Sequence, residues 1–286
     1  MASAFDDTWL QSNAVVEPPT APEEFDGDLD DIQRFIAYTK SSQPGPRLVA
    51  VQTFLWLCAH SSLADVQDKV FPATTRFATD DDNSVREAVA AQVAHVISYL
   101  RSSSLWGGSC FATFWQTCVA LLTEKDAQIR IVCEDNVASV AEYLSDPLVL
   151  QPIVLPSFVC MLREDEDAVC TALRLMAEIA THSPSEWVRD SVWPVFSEQV
   201  RIFFALALLF SAAIINIIVS FSIFFTPSQS KSDSFKVRRA VALHIGKVGV
   251  GCASAFTAEH VLPCFDVLSK VLASCVRWRA RARCNA

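Results

Sequence analysis

Glycine is the first shortage. Seven in 286 residues are too few for an architecture of strands joined by tight turns. Alternation of apolar and polar residues is nearly absent as well, which argues against sheet-based folds. The ten cysteines contain no C-x-x-C pair, so the common zinc and redox spacings are missing. His244, Cys252, His260 and Cys264 are the one set with metal-ligand chemistry, and their spacing fits no standard finger; no metal and no cofactor is expected. HExxH and DxDxDG do not occur, and Gly246, Gly249 and Gly251 stand in the wrong order for a dinucleotide loop. Cys170 and His182 could be paired as thiol and imidazole, but without the local signatures of such nucleophiles. The expectation is that the chain is not an enzyme.

Basic residues are also absent before Arg34, while residues 1–33 hold nine acidic ones. The net charge of −9 therefore belongs to the N-terminal tail, and the 23 acidic and 23 basic residues beyond it balance. No clustered Lys and Arg surface of the nucleic-acid-binding kind results. Arg277, Arg279, Arg281 and Arg283 read as the solvated face of one helix. No signal-peptide pattern opens the chain, so the cysteines are expected to be reduced thiols and the location cytoplasmic, with the nucleus also open.

Helical periodicity is abundant. In Lys236 to Val248 (KVRRAVALHIGKV), Val237, Ala240, Val241, Ile245 and Val248 recur at steps of three and four, one apolar stripe on a helix. Val85 to Val96 (VREAVAAQVAHV) repeats the plan, with weaker copies beginning near Arg47, Arg130 and Val169. Taking the Arg position as register, the copies fall at Arg47, Arg86, Arg130, Cys170, Arg238 and Arg277, in steps of 39, 44, 40, 68 and 39 residues. Helical-hairpin repeats of the HEAT and armadillo kind have periods of about 40–47 residues. A proline 14 residues before the register position is a second marker: Pro72, Pro156 and Pro263 precede Arg86, Cys170 and Arg277. Pro194 points to position 208, yet the next copy is at Arg238, 30 residues late. Both markers place an insertion there.

The expected fold is all-α, an α-solenoid of about five HEAT-like hairpins plus a partial sixth, interrupted by a hydrophobic insert. Residues 1–29 read as a disordered acidic tail with Pro18, Pro19 and Pro22. Residues 30–46 read as an N-terminal cap helix and a Pro/Gly linker. Repeats one to four occupy 47–199, the insert 200–230, and repeat five with the partial sixth 231–286. Asp82 or Asn83, Asp126, Asp165 to Asp167 and Ser234 are the expected N-caps of the first helices. A half repeat leaves an apolar face uncovered, so the natural chain is expected to be longer or its end altered.

Ile202 to Phe225 is 24 residues without a charge, 16 of them Ile, Leu, Phe or Val. Those sixteen favour membrane insertion by about 5–9 kcal/mol, less penalties for Asn216 and three serines, and the length suits a span. A span would put repeats four and five on opposite sides of a membrane, although each repeat needs its neighbour. Residues 200–229 begin with Val and end with Gln, which is compatible with an in-frame GT…AG intron. A retained intron is the preferred reading, and a transmembrane helix is the alternative.

The phrases VRRAVALHIGKVG, AEHVLPCFDVLSK and VRWRA resemble the HEAT repeats of scaffold and regulatory subunits of type 2A-like Ser/Thr protein phosphatases. The resemblance covers roughly 47–199 and 231–280 and is best over 235–270; the insert, the missing proline in repeat two and the abrupt end depart from it. It implies a non-catalytic subunit that holds a Ser/Thr phosphatase catalytic subunit, phosphatase 4 among the candidates, and directs its substrate choice. Turns within hairpins then line up as a partner-facing ridge, with Arg101, Trp106, Trp187 and Arg189 as expected anchors. Packing of Trp187 in the repeat core is an equal alternative. Arg47, Arg86, Arg130, Arg238 and Arg277 are expected to make contacts between repeats. Two other readings stay open: a HEAT module for transport or assembly, and a single-pass membrane protein.

Overall fold

Three of the first helices start where an aspartate side chain accepts a hydrogen bond from a free amide of the first turn. Asp82 accepts from Ser84 N–H, Asp126 from Gln128 N–H and Asp165 from Ala168 N–H, each cap contributing about 1 kcal/mol. The computed structural model describes residues 29–198, 230–252 and 254–264, and among them every regular element is helical. Contacts divide the chain into two units, Met1–Val154 and Leu155–Ala286.

Unit 1 contains α1 (Asp31–Thr39), α2 (Pro44–His60), α3 (63–74), α4 (Asn83–Ser102), α5 (Ser109–Leu122), α6 (Ala127–Ser139), the short α7 (Ala141–Leu144) and α8 (147–154). Asp30 caps α1 in a reciprocal box with Gln33. Pro44 to Pro46, expected in a linker, instead form the first turn of α2, where a missing N–H costs no helical bond. Helix α1 covers α2, α2 packs on α4, and α4 on α6; in a second layer α3 packs on α5, and α5 on α8.

The first helices of unit 1 run parallel. At their N-terminal ends Arg47 of α2 reaches Asp80, just before α4, and Asn83 of α4 reaches Asp126, the cap of α6. At the other end Tyr99 of α4 donates its hydroxyl to the Cys58 carbonyl of α2 at 3.1 Å. Between the layers runs an aromatic chain. Phe35 lies 6.2 Å from Phe54, Phe54 lies 5.3 Å from Phe71, and Phe71 lies 6.4 Å from Phe114. Truncating a fully buried ring such as Phe71 costs about 3–5 kcal/mol.

Unit 2 contains α9 (Leu155–Met161), α10 (Glu166–His182), α11 (185–198), α12 (Ser230–Gly251) and α13 (254–264). Helices α10 and α12 make the most extensive helix pairing of the unit. They too are parallel: Lys236 approaches Asp167 at their beginnings, Lys247 pairs with Glu178 further along, and Gly251 meets Ala180 at their ends. A Cβ at Gly251 would fall against the Ala180 carbonyl, so this glycine sets the closest approach of the two helices. In the second layer Trp193 of α11 meets Phe256 of α13 edge-on at 5.9 Å. The helices flanking 199–229 thus pack directly against each other. Ser234, expected as a cap, lies inside α12, which already starts at Ser230.

Second helices share a feature that residue spacing alone does not announce. Val66–Val70, Leu150–Val154, Val188–Val192 and Thr257–Val261 are π turns, each ending two residues before one of the marker prolines. Proline has no N–H and its ring collides with the carbonyl four residues back. The widened turn removes that collision: Phe71, Trp193 and Leu262 donate to carbonyls five residues back. Helix α5 has Gln116 at the marker position and is α-helical from Ser109 to Leu122.

Candidate partner-binding site

Because α2, α4 and α6 are parallel, their C-terminal ends and the turns that follow form one edge of unit 1. The longest turn, 103–108, carries Trp106 and bends at Gly107, whose φ of 72° suits glycine. Trp106 packs against Phe111 at 4.8 Å and donates its indole N–H to Asp146 Oδ2 at 3.0 Å. The other oxygen of Asp146 accepts from Leu148 N–H at 3.0 Å, which caps α8. Arg101, in the last turn of α4, holds its guanidinium 5.4 Å from the Trp106 ring centre and 3.7 Å from Asp146 Oδ2. The stack is a cation–π contact. Sequence reasoning thus named two members of this cluster and missed Asp146, whose only signal was an Asp-Pro pair at a helix start.

The same edge continues on either side. At the end of α2, His60 stacks on Trp56 at 4.4 Å and donates Nδ1–H to the Trp56 carbonyl at 2.8 Å. Leu63, Tyr143 and Leu148 are exposed beside the turns. In unit 2 the corresponding turn presents Trp187, half-buried, with its indole N–H shielded and without an acceptor. Arg189 forms a paired contact with Asp190 at 2.7 and 2.9 Å, which raises its pKa further. Trp187 and Arg189 form no cluster of the Arg101–Trp106 kind.

Register arginines occupy the opposite edge. Arg47 donates to the Ser41 carbonyl at 2.9 Å, Arg130 to the Glu124 carbonyl at 2.6 Å, and Arg86 to the Asp80 carbonyl, in each case six residues back. Arg47 also grips Asp80 with two bonds of 2.7 Å, and Arg86 approaches Glu124 at 3.0 Å. Burial pushes the Asp80 carboxyl up, but the bonds from Arg47 and the Asp82 N–H outweigh it and hold the pKa below the usual range. The Arg238 side chain and Arg277 lie outside the described residues, as does 202–225.

Cys170 and His182 are on one helix twelve positions apart, about 18 Å along its axis, so they do not form a pair. Burial pushes the Cys58, Cys110, Cys118 and Cys133 thiols up, which keeps them protonated and poorly nucleophilic at neutral pH. All eight described cysteines are free, and Cys160 is exposed. His244, Cys252, His260 and Cys264 do not converge, and no three His, Cys, Asp or Glu side chains among the described residues could hold a metal ion. No described helix is long and apolar enough to cross a membrane. Comparison with protein-family models finds no match, and comparison with curated proteins finds none either.

Proposed function

We propose that the chain is a non-catalytic HEAT-type scaffold, an α-solenoid of about five hairpins with part of a sixth, located in the cytoplasm. It binds the catalytic subunit of a type 2A-like Ser/Thr protein phosphatase and directs dephosphorylation. The observation that carries the repeat reading is the recurring arginine geometry: a carbonyl six residues back at Arg47, Arg86 and Arg130, and the next turn's carboxylate at Arg47 and Arg86. Such recurrence is what tandem hairpins related by one operation produce. The phosphatase assignment is supported by the resemblance of VRRAVALHIGKVG, AEHVLPCFDVLSK and VRWRA to repeats of regulatory subunits such as protein phosphatase 4 regulatory subunit 1.

Capture of partners on the full chain from lysate, followed by mass spectrometry and rebinding of the purified catalytic subunit, tests the assignment. Recovery and rebinding of a type 2A-like catalytic subunit is expected. Recovery of transport or assembly factors without any phosphatase replaces it with the second reading, a HEAT module of another pathway, which the same repeat geometry accommodates. Carbonate extraction is expected to leave the chain in the supernatant; retention in the lipid pellet supports a single-pass protein through 202–225.

A further inference from the structure

Five described arginines are held by hydrogen-bond acceptors. Arg34 bonds Asp31 and the Leu29 carbonyl, Arg47 bonds Asp80, Arg86 bonds Asn83, Arg130 bonds the Glu124 carbonyl, and Arg189 bonds Asp190. Arg101 is held differently. Its guanidinium lies over the Trp106 face, and its ion-pair partner, Asp146 Oδ2, is 3.7 Å away, beyond hydrogen-bonding distance. That oxygen already receives the Trp106 indole N–H, and its twin receives Leu148 N–H. The side chain keeps 48% of its surface exposed while that of Asp146 keeps 18%. A guanidinium with its planar donor fork free and its orientation fixed is prepared for a carboxylate, which takes two parallel N–H bonds. Beside it Leu148, 66% exposed, covers the bend at Gly107, with its Cβ 3.7 Å from where a side chain there would begin.

We propose that Arg101, stacked on Trp106, receives an Asp or Glu side chain of an acidic, apolar-flanked segment of a protein partner, with Leu148 taking the apolar neighbour. Asp146 is the positioning residue, because it fixes the indole that fixes the guanidinium. The inference rests on this edge being a protein-docking edge and not on the partner being a phosphatase. Binding energy concentrates in such half-enclosed Arg and Trp groups, and a stacked guanidinium has less rotamer freedom left to lose.

The test titrates the full chain with a twelve-residue peptide alternating Glu and Leu, and with its Gln–Leu counterpart, following the tryptophan indole N–H resonances by NMR. Trp106→Phe identifies the Trp106 signal. The Trp106 signal is expected to shift with the Glu peptide and to need about tenfold more of the Gln peptide, a loss in line with one charged hydrogen-bonded contact. Arg101→Ala should remove that preference, Arg101→Lys should restore only part of it, and Leu148→Ala should weaken both peptides a few-fold. Equal response to both peptides, or an unchanged preference in Arg101→Ala, overturns the proposal. Tighter binding of a phosphoserine–Leu peptide than of the Glu peptide overturns the carboxylate assignment. A chain that captures no phosphatase yet prefers the Glu peptide keeps this inference and loses the phosphatase reading. Phosphatase binding that survives Arg101→Ala, with no peptide preference, does the reverse.

Discussion

Asp146 uses two oxygens for three tasks: it caps α8, accepts from Trp106 and faces Arg101. Replacement by Ala loses the cap, about 1 kcal/mol, and leaves the half-buried indole N–H to water, which brings the expected cost to about 2 kcal/mol. Asp146→Asn has one acceptor oxygen in place of two, so it keeps the Leu148 cap, turns an amide N–H toward the indole N–H, and is expected to cost about 1 kcal/mol, with the peptide preference at Arg101 reduced. Urea denaturation of the two variants checks this; an Asn variant as unstable as the Ala variant would show that the cap contributes nothing, and one as stable as the wild type that the indole contact contributes nothing. Arg101 and Trp106 were legible in the sequence because one precedes and the other lies within a Ser- and Gly-rich turn, where large side chains tend to face outward. Asp146 was not, because it lies 40 residues from Trp106 and nothing in linear spacing sets those two turns side by side.

At the scale of elements, helix starts were readable because Asp before a periodic run has one economical use, the cap. The π turns were not. The marker prolines were visible as a 14-residue register, but how a helix absorbs a missing N–H depends on what its flank packs against, and only the folded ladder reveals it. The α10–α12 pair has a further property of this kind. His244 of α12 is half-buried, with Nδ1 shielded and without a partner. Burial lowers its pKa first, Lys247 and Arg174 lower it further, and Glu178 opposes them. The charged groups acting on it are Arg174 and Glu178 from α10 and Lys247 from its own helix. As pH falls below about 6.5 the unfolded chain takes up the proton before the folded one. Unit 2 should therefore lose stability from that pH down to the folded pKa and no further below it. Denaturation midpoints between pH 7.5 and 5 are expected to decline in the wild type and to decline less in His244→Gln; equal slopes would remove His244 as the cause.

Over the whole chain, the strongest test is removal of residues 200–229. The sequence placed the interruption between two hairpins because two independent markers lost phase there, and the described helices on either side pack as parallel neighbours. Their contact uses Asp167 with Lys236, Glu178 with Lys247, and Gly251 against Ala180, and none of these residues belongs to the removed stretch. Joining Gln199 to Ser230 leaves Ser230, Lys231, Ser232, Asp233 and Ser234 as the connection, a composition that favours a turn over a helix. Connections of comparable length already occur in unit 1, where 75–82 separates α3 from α4 and 123–126 separates α5 from α6. The first turns of α12 are accordingly expected to unwind in the shortened chain, with Ser234 taking the cap that the intact chain denies it. Cooperative unfolding should persist, with a Tm within a few degrees of the intact protein. Hydrogen exchange should show protection lost at 231–234 and retained from Val237 to Val248. Protection lost throughout α10 and α12 would mean that the apolar stretch holds the two hairpins together, and the continuous-stack reading would fall with that result.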